Sequence, residues 1–131
     1  MIEQTELIVT KWQYNPPSNS IEEEPEKLLS FISFEVMKKR AATKKGIACR
    51  FTIRFVYKNE TVLEYVGEDS YVIDLQDIID KNELQTMIRN SYSKFKEKFE
   101  FKKLATVLRN KSLLPFDETK YDLEPVLLLL Q

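Results

Sequence analysis

The sequence has no histidine, one cysteine and two glycines, and these shortages remove whole classes of chemistry. Without histidine there is no imidazole proton shuttle, no Ser-His-Asp triad and no histidine metal site. A single thiol, Cys49, can neither build a cysteine zinc cluster nor close an internal disulfide, which points to a reducing compartment. Gly46 and Gly67 alone cannot form a glycine-rich phosphate loop. No apolar run approaches the roughly 20 residues needed to cross a bilayer, so no membrane span is expected. The N-terminal stretch MIEQTELIVTKW lacks the basic start and apolar core of a secretory signal, and the expected location is cytoplasmic. Carboxylates are plentiful, but none is paired in a setting that predicts a raised pKa. The chain is therefore read as non-catalytic, with no cofactor and no metal.

What is present suits a core. The chain has 131 residues, 43% of them apolar, including eight Phe and six Tyr. That length is typical of a single domain, here 1–131, and a chain of this size buries roughly two-thirds of its unfolded surface without a covalent staple. Twenty basic residues against twenty-one acidic leave a net charge of −1, too balanced to announce nucleic acid or a membrane surface. The distribution is uneven. Residues 1–29 are acidic, with Glu22, Glu23, Glu24 and Glu26 clustered, whereas residues 89–111 carry eight Lys or Arg against Glu97 and Glu100.

Along the chain, TELIVTKWQY (5–14) mixes β-branched and aromatic residues and predicts a first strand. NPPSNSIEEEPEK (15–27) follows, with three prolines and a glutamate cluster, and reads as a long crossing loop. From Ile32 the next segment alternates, Ile32, Phe34 and Val36 on one face and Ser33 and Glu35 on the other. Gly46 is available for a positive φ in the turn AATKKG. Residues 47–58 give the clearest pattern. Ile47, Cys49, Phe51, Ile53, Phe55 and Tyr57 point one way, and Arg50, Thr52, Arg54 and Lys58 the other. Cys49 on the apolar face reads as a small core residue. Asn59 turns the chain into a strand over 61–66, and GEDS (67–70) predicts another turn into Tyr71–Asp74. Short connections favour antiparallel neighbours, so a four-stranded antiparallel sheet is expected.

At residue 80 the period changes. Asp80 with Glu83 three residues on predicts a helix start. Leu84, Ile88, Tyr92, Phe95 and Phe99 then form one apolar stripe. Leu104, Val107 and Leu108 continue helical spacing, with or without a break near Glu100–Phe101, so that 82–111 reads as one helix or two, and Pro115 stops it. The apolar run Val126–Leu130 is expected to be buried, in its own fold or against a partner.

The order is therefore strand, proline-rich crossing loop, three hairpin-connected strands, long amphipathic helix and short C-terminal element: an α+β fold. This order resembles the SecB-like export chaperones. The local spacing of VLEYVGEDSYVI (62–73) is similar to that family's third and fourth strands, and LLPFDETKYDLEPVLLLL (113–130) to its leucine- and proline-rich passage before the last helix. The family's proline in the first-helix region and the glycine-proline passage after it are missing. The resemblance implies an ATP-independent holdase for unfolded polypeptide and a homo-oligomer, a tetramer built as a dimer of dimers. It implies a peptide-binding set of Trp12, Tyr14, Phe31, Ile32, Phe34 and Tyr65.

Alternatives remain at this level. Trp12 and Tyr14 either anchor the edge of the proline loop or form the aromatic lip of a groove. SYSKFKEKFEFKK (91–103) has the basic and aromatic content of a nucleic-acid surface. Its aromatics fall at core spacing, however, which leaves the lysines as a solvated helix face. A non-catalytic adaptor that binds one dedicated partner is the other reading of the whole chain.

Overall fold

The computed structural model describes residues 2–4, 7–18, 20–40, 44–111 and 120–130. The alternation read over 47–58 belongs to the central strand of an antiparallel sheet. In chain order the elements are β1 (Ile2–Gln4), β2 (Ile8–Tyr14), β3 (Leu28–Arg40), β4 (Lys44–Tyr57), β5 (Glu60–Asp74), α1 (Lys81–Lys103) and α2 (Glu124–Leu130). β3, β4 and β5 are antiparallel neighbours, and β1 and β2 both pair with the far side of β5. β1 takes the stretch at Tyr71–Ile73 and β2 the stretch at Leu63–Glu68, so together they fill one edge position. Four antiparallel positions are thus filled, as expected, with β1 and β2 sharing the first.

Because β2 and β3 are the two edges, the loop from 15 to 27 must cross the whole sheet. It is pinned at three points. Asn15 N–H donates to the Val62 carbonyl at 2.7 Å, the Tyr57 hydroxyl donates to the Ser20 carbonyl at 3.1 Å, and Ile21 is buried. This is a Greek-key path, in which the first strand lies beside the last.

One face of the sheet carries the core. Ile47, Cys49, Phe51, Ile53, Phe55 and Tyr57 are all buried, as are Leu63, Tyr65, Tyr71 and Ile73 of β5. α1 lies over them. Asp80 caps it, its carboxylate accepting from Glu83 N–H at 2.8 Å. The stripe of Leu84, Ile88, Phe95 and Phe99 is buried against the sheet. Phe95 stacks on Phe51 at 5.4 Å and leans on Tyr65 at 4.9 Å, and Phe99 stacks nearly parallel to Phe55 at 6.2 Å. Full burial of such a ring is worth roughly 1.5–3 kcal/mol, so this aromatic layer dominates the cohesion of helix and sheet.

Three local expectations change. GEDS is not a turn, because β5 runs unbroken from Glu60 to Asp74. Gly67 sits beneath Phe95, where a Cβ would come within 2.7 Å of its ring, and Asp69 finds partners in the helix rather than in a tight turn. Gly46 is also within a strand, opposite Lys39 and Val72. The helix ends at Lys103, and residues 104–110 continue as turns rather than as a second helix. Pro115 lies outside the described residues. The C-terminal run forms α2, with Leu123 and Leu127 buried and Leu128 exposed, packed beside β3 where Tyr121 meets Phe34 edge-on at 5.2 Å.

Candidate functional site

The site begins with a bulge in β2. Val9 pairs with Gly67 and Lys11 with Val66, which leaves Thr10 as an extra residue. One extra residue flips the alternation, so Val9 and Trp12, rather than Val9 and Lys11, share the face toward α1. Tyr14 follows on the same face. All three side chains are half-buried.

The C-terminal half of α1 and the turn after it are tied across to this strand. Lys98 donates to the Leu7 carbonyl at 3.1 Å, the Lys102 ammonium lies 5.1 Å from the centre of the Trp12 ring, and Val107 N–H donates to the Tyr14 hydroxyl at 3.1 Å. Trp12 itself stands edge-on against Tyr65 at 5.7 Å. Below these ties, helix and strand diverge to leave a groove of about 920 Å³, floored by Leu7 and Val9 and walled by Phe101, Leu104 and the stems of Lys94 and Lys98. Phe101, Leu104 and Val107 are 78%, 61% and 52% exposed, an apolar ridge leading out of the groove. β2 pairs with β5 on one side only, and among the described residues no strand pairs with its other side. An apolar groove and an unpaired strand edge therefore adjoin. A smaller cleft of about 410 Å³ lies between the crossing loop, at Pro16 and Ile21, and Val107 and Asn110.

The charges around the groove are largely engaged. Lys94 reaches the buried Asp69 carboxylate at 2.9 Å, and Ser91 Oγ donates to the same oxygen at 2.7 Å. Tyr71 Oη lies 2.8 Å from Ser91 Oγ and donates to the Met87 carbonyl at 2.8 Å. Lys103, almost fully buried, meets Glu100 at 2.7 Å and the Lys111 carbonyl. Lys94, Lys98, Lys102 and Lys103 thus make contacts within the chain, while Lys96, Lys98 and Lys102 remain on the exposed face that the spacing predicts and Lys103 is buried. Cys49 lies under this network, and burial first, then the Asp69 charge, pushes its thiol up to about 12. It is a core thiol with no nucleophilic character at neutral pH.

The sequence-derived site residues fall into two groups on opposite edges of the sheet. Trp12, Tyr14 and Tyr65 are together on the β2 side, where Tyr65 is fully buried beneath Trp12. Ile32 and Phe34 are half-buried on the helix-facing side of β3, and Phe31 is on the opposite face, 45% exposed beneath the Arg54 guanidinium. β4 lies between β5, which carries Tyr65, and β3, which carries the second group. Leu7, Val9, Phe101 and Leu104 were not singled out from sequence as site residues. Phe101 carried a signal, since an aromatic two positions beyond Phe99 lies off the buried stripe. Val9 carried none, because its face depends on the bulge.

No family model and no curated protein matches the chain. Among solved structures, a protein of unknown function from Streptococcus agalactiae is similar in fold, with a TM-score of 0.51 and 16% identity over 88% of this chain and 98% of that one. A SecB-like chaperone from Mycobacterium tuberculosis, solved in complex with a peptide from an antitoxin, aligns over 88% of each chain with a TM-score of 0.47 and 11% identity. At 16% identity the first of these likenesses is one of fold alone. Among the described residues no helix is long and apolar enough to cross a membrane, and no cluster of acidic or thiol side chains could hold a metal ion.

Proposed function

We propose that this protein acts by binding extended segments of other polypeptides, as an ATP-independent holdase rather than an enzyme. The observation that carries the reading is the groove beside β2. A polypeptide in extended form can add to the free strand edge through its main chain and insert alternate apolar side chains over Leu7 and Val9. Main-chain pairing is indifferent to sequence, and the flexible lysine stems and exposed Phe101 and Leu104 adapt to different side chains, so many clients are accommodated. The same edge and ridge suit association between copies, and a homo-oligomer is part of this reading.

The test is light scattering of a chemically unfolded model protein diluted into increasing amounts of this one without ATP. Suppression of aggregation that saturates near stoichiometric amounts supports the reading. No suppression at any ratio overturns it and leaves the adaptor for one dedicated partner, to be recovered by pull-down on the intact chain.

A further inference from the structure

A second surface lies on the other face of the sheet, at the β4–β5 turn and away from the groove. Leu29 and Val56 face each other there across β3 and β4 and floor a depression of about 480 Å³ rimmed by Lys27, Lys58 and Asn59. The acidic side chain at its rim is Glu24, which both lysines hold. Leu29 is 52% exposed, and two residues along β3 the Arg54 guanidinium covers Phe31 at 5.3 Å.

The turn is unusual for its residues. Lys58 and Asn59 have φ of 50° and 66°, both left-handed, as a two-residue hairpin turn of the mirror-image type requires. Asparagine followed by glycine is the low-cost pair for that geometry. Lysine at the first position is less favourable than either of these. Here its amine lies 2.6 Å from Glu24 Oε2, and the Lys27 amine lies 3.5 Å from the same oxygen. That oxygen is shielded from solvent. Two ammonium groups thus converge on one carboxylate position at the rim of an apolar floor. The carboxylate that fills it comes from the acidic crossing loop, and the Lys58 contact holds it below its ordinary pKa.

We propose that this depression docks an acidic and apolar segment of a partner polypeptide, an aliphatic side chain resting on Leu29 and Val56 and a glutamate or aspartate side chain displacing Glu24 from between Lys27 and Lys58. Glu24 is then an internal competitor, and docking frees the loop at that one point. Ile21 and the Ser20 carbonyl keep the rest of the loop attached. This surface is independent of the groove on the opposite face.

The probe is an octapeptide alternating leucine with glutamate, acetylated and amidated so that it has no terminal carboxylate. It is titrated into the intact protein while backbone amide shifts are followed by NMR. Saturable shifts at Leu29, Val56, Lys58 and Asn59 are expected, weakening with salt. Glu24→Gln removes the competitor and tightens binding by about fivefold, the scale of one exposed ion pair. Lys58→Glu abolishes binding, whereas Leu104→Glu in the groove leaves it unchanged. The same peptide with lysine in place of glutamate gives no shifts at these residues. Shifts confined to Leu7, Val9 and Leu104, equal response to the lysine peptide, or no effect of Glu24→Gln would each overturn the proposal.

Discussion

Gly67 shows how much one position can decide. Its missing Cβ lets the Phe95 ring settle onto β5, with ring carbons at 2.7 and 3.0 Å from where a methyl would stand. Phe95 has no room to retreat, being fully buried against Phe51 and Tyr65. Gly67→Ala is therefore expected to destabilise the protein by about 1–3 kcal/mol, the usual cost of overpacking, measured by urea unfolding. A stability unchanged within error would mean that the helix adjusts freely over the sheet. The buried phenols make a second prediction at this scale. Burial, the leading cause in each, pushes Tyr65 and Tyr71 from 10.0 up to about 12. Folding thus favours their neutral forms. Their contribution to stability is complete below pH 10 and is lost as pH rises through about 12, where the folded forms ionise. Alkaline unfolding is expected in that window, with part of the tyrosinate absorbance rising together with loss of circular dichroism. Ionisation of all six tyrosines near the ordinary value with the fold intact would contradict it.

At the scale of elements, period was a good guide and turn residues were a poor one. The alternation over 47–58 and the stripe from Leu84 to Phe99 predicted β4 and α1 because burial on one face leaves its period in the sequence. GEDS has turn composition, yet its glycine serves helix packing and its aspartate serves a buried network with Ser91 and Lys94. Composition cannot separate these uses, because the partners are in α1. The turn at Lys58 and Asn59 was anticipated through Asn59, and its strain offers a test. Asn59→Gly removes the left-handed penalty at the second central position without touching the Lys58–Glu24 contact. It is expected to stabilise the protein by roughly 0.5–1 kcal/mol and to raise the denaturation midpoint. A loss of stability would show that the Asn59 side chain is itself engaged.

At the scale of the whole molecule, the groove can be separated from the fold. Phe101 and Leu104 are among the most exposed apolar residues described, so Phe101→Ser with Leu104→Glu removes little buried surface. Thermal stability is expected to change by less than about 0.5 kcal/mol. Suppression of aggregation, by contrast, is expected to need several-fold more protein. If the double variant protects as well as the parent, binding lies elsewhere, and the β3 edge with Phe31 becomes the place to look.

Much of the fold could be read from the chain alone, because burial on one face is written in local periods: the antiparallel strands, the long capped helix and the core position of Cys49 all follow from near neighbours in sequence. The site could be read only in part. Trp12 and Tyr14 could be named as groove or anchor residues from their place at the end of a strand. That they share a face with Val9, meet Lys102 and Val107, and stand on the opposite edge of the sheet from Ile32 and Phe34 was decided by tertiary structure. The bulge at Thr10 sets which way β2 faces, and the crossing loop sets which strands become edges. Both depend on contacts between residues far apart in the chain, such as Val9 with Gly67 for the bulge and Ser20 with Tyr57 for the loop, and no local pattern encodes such pairs.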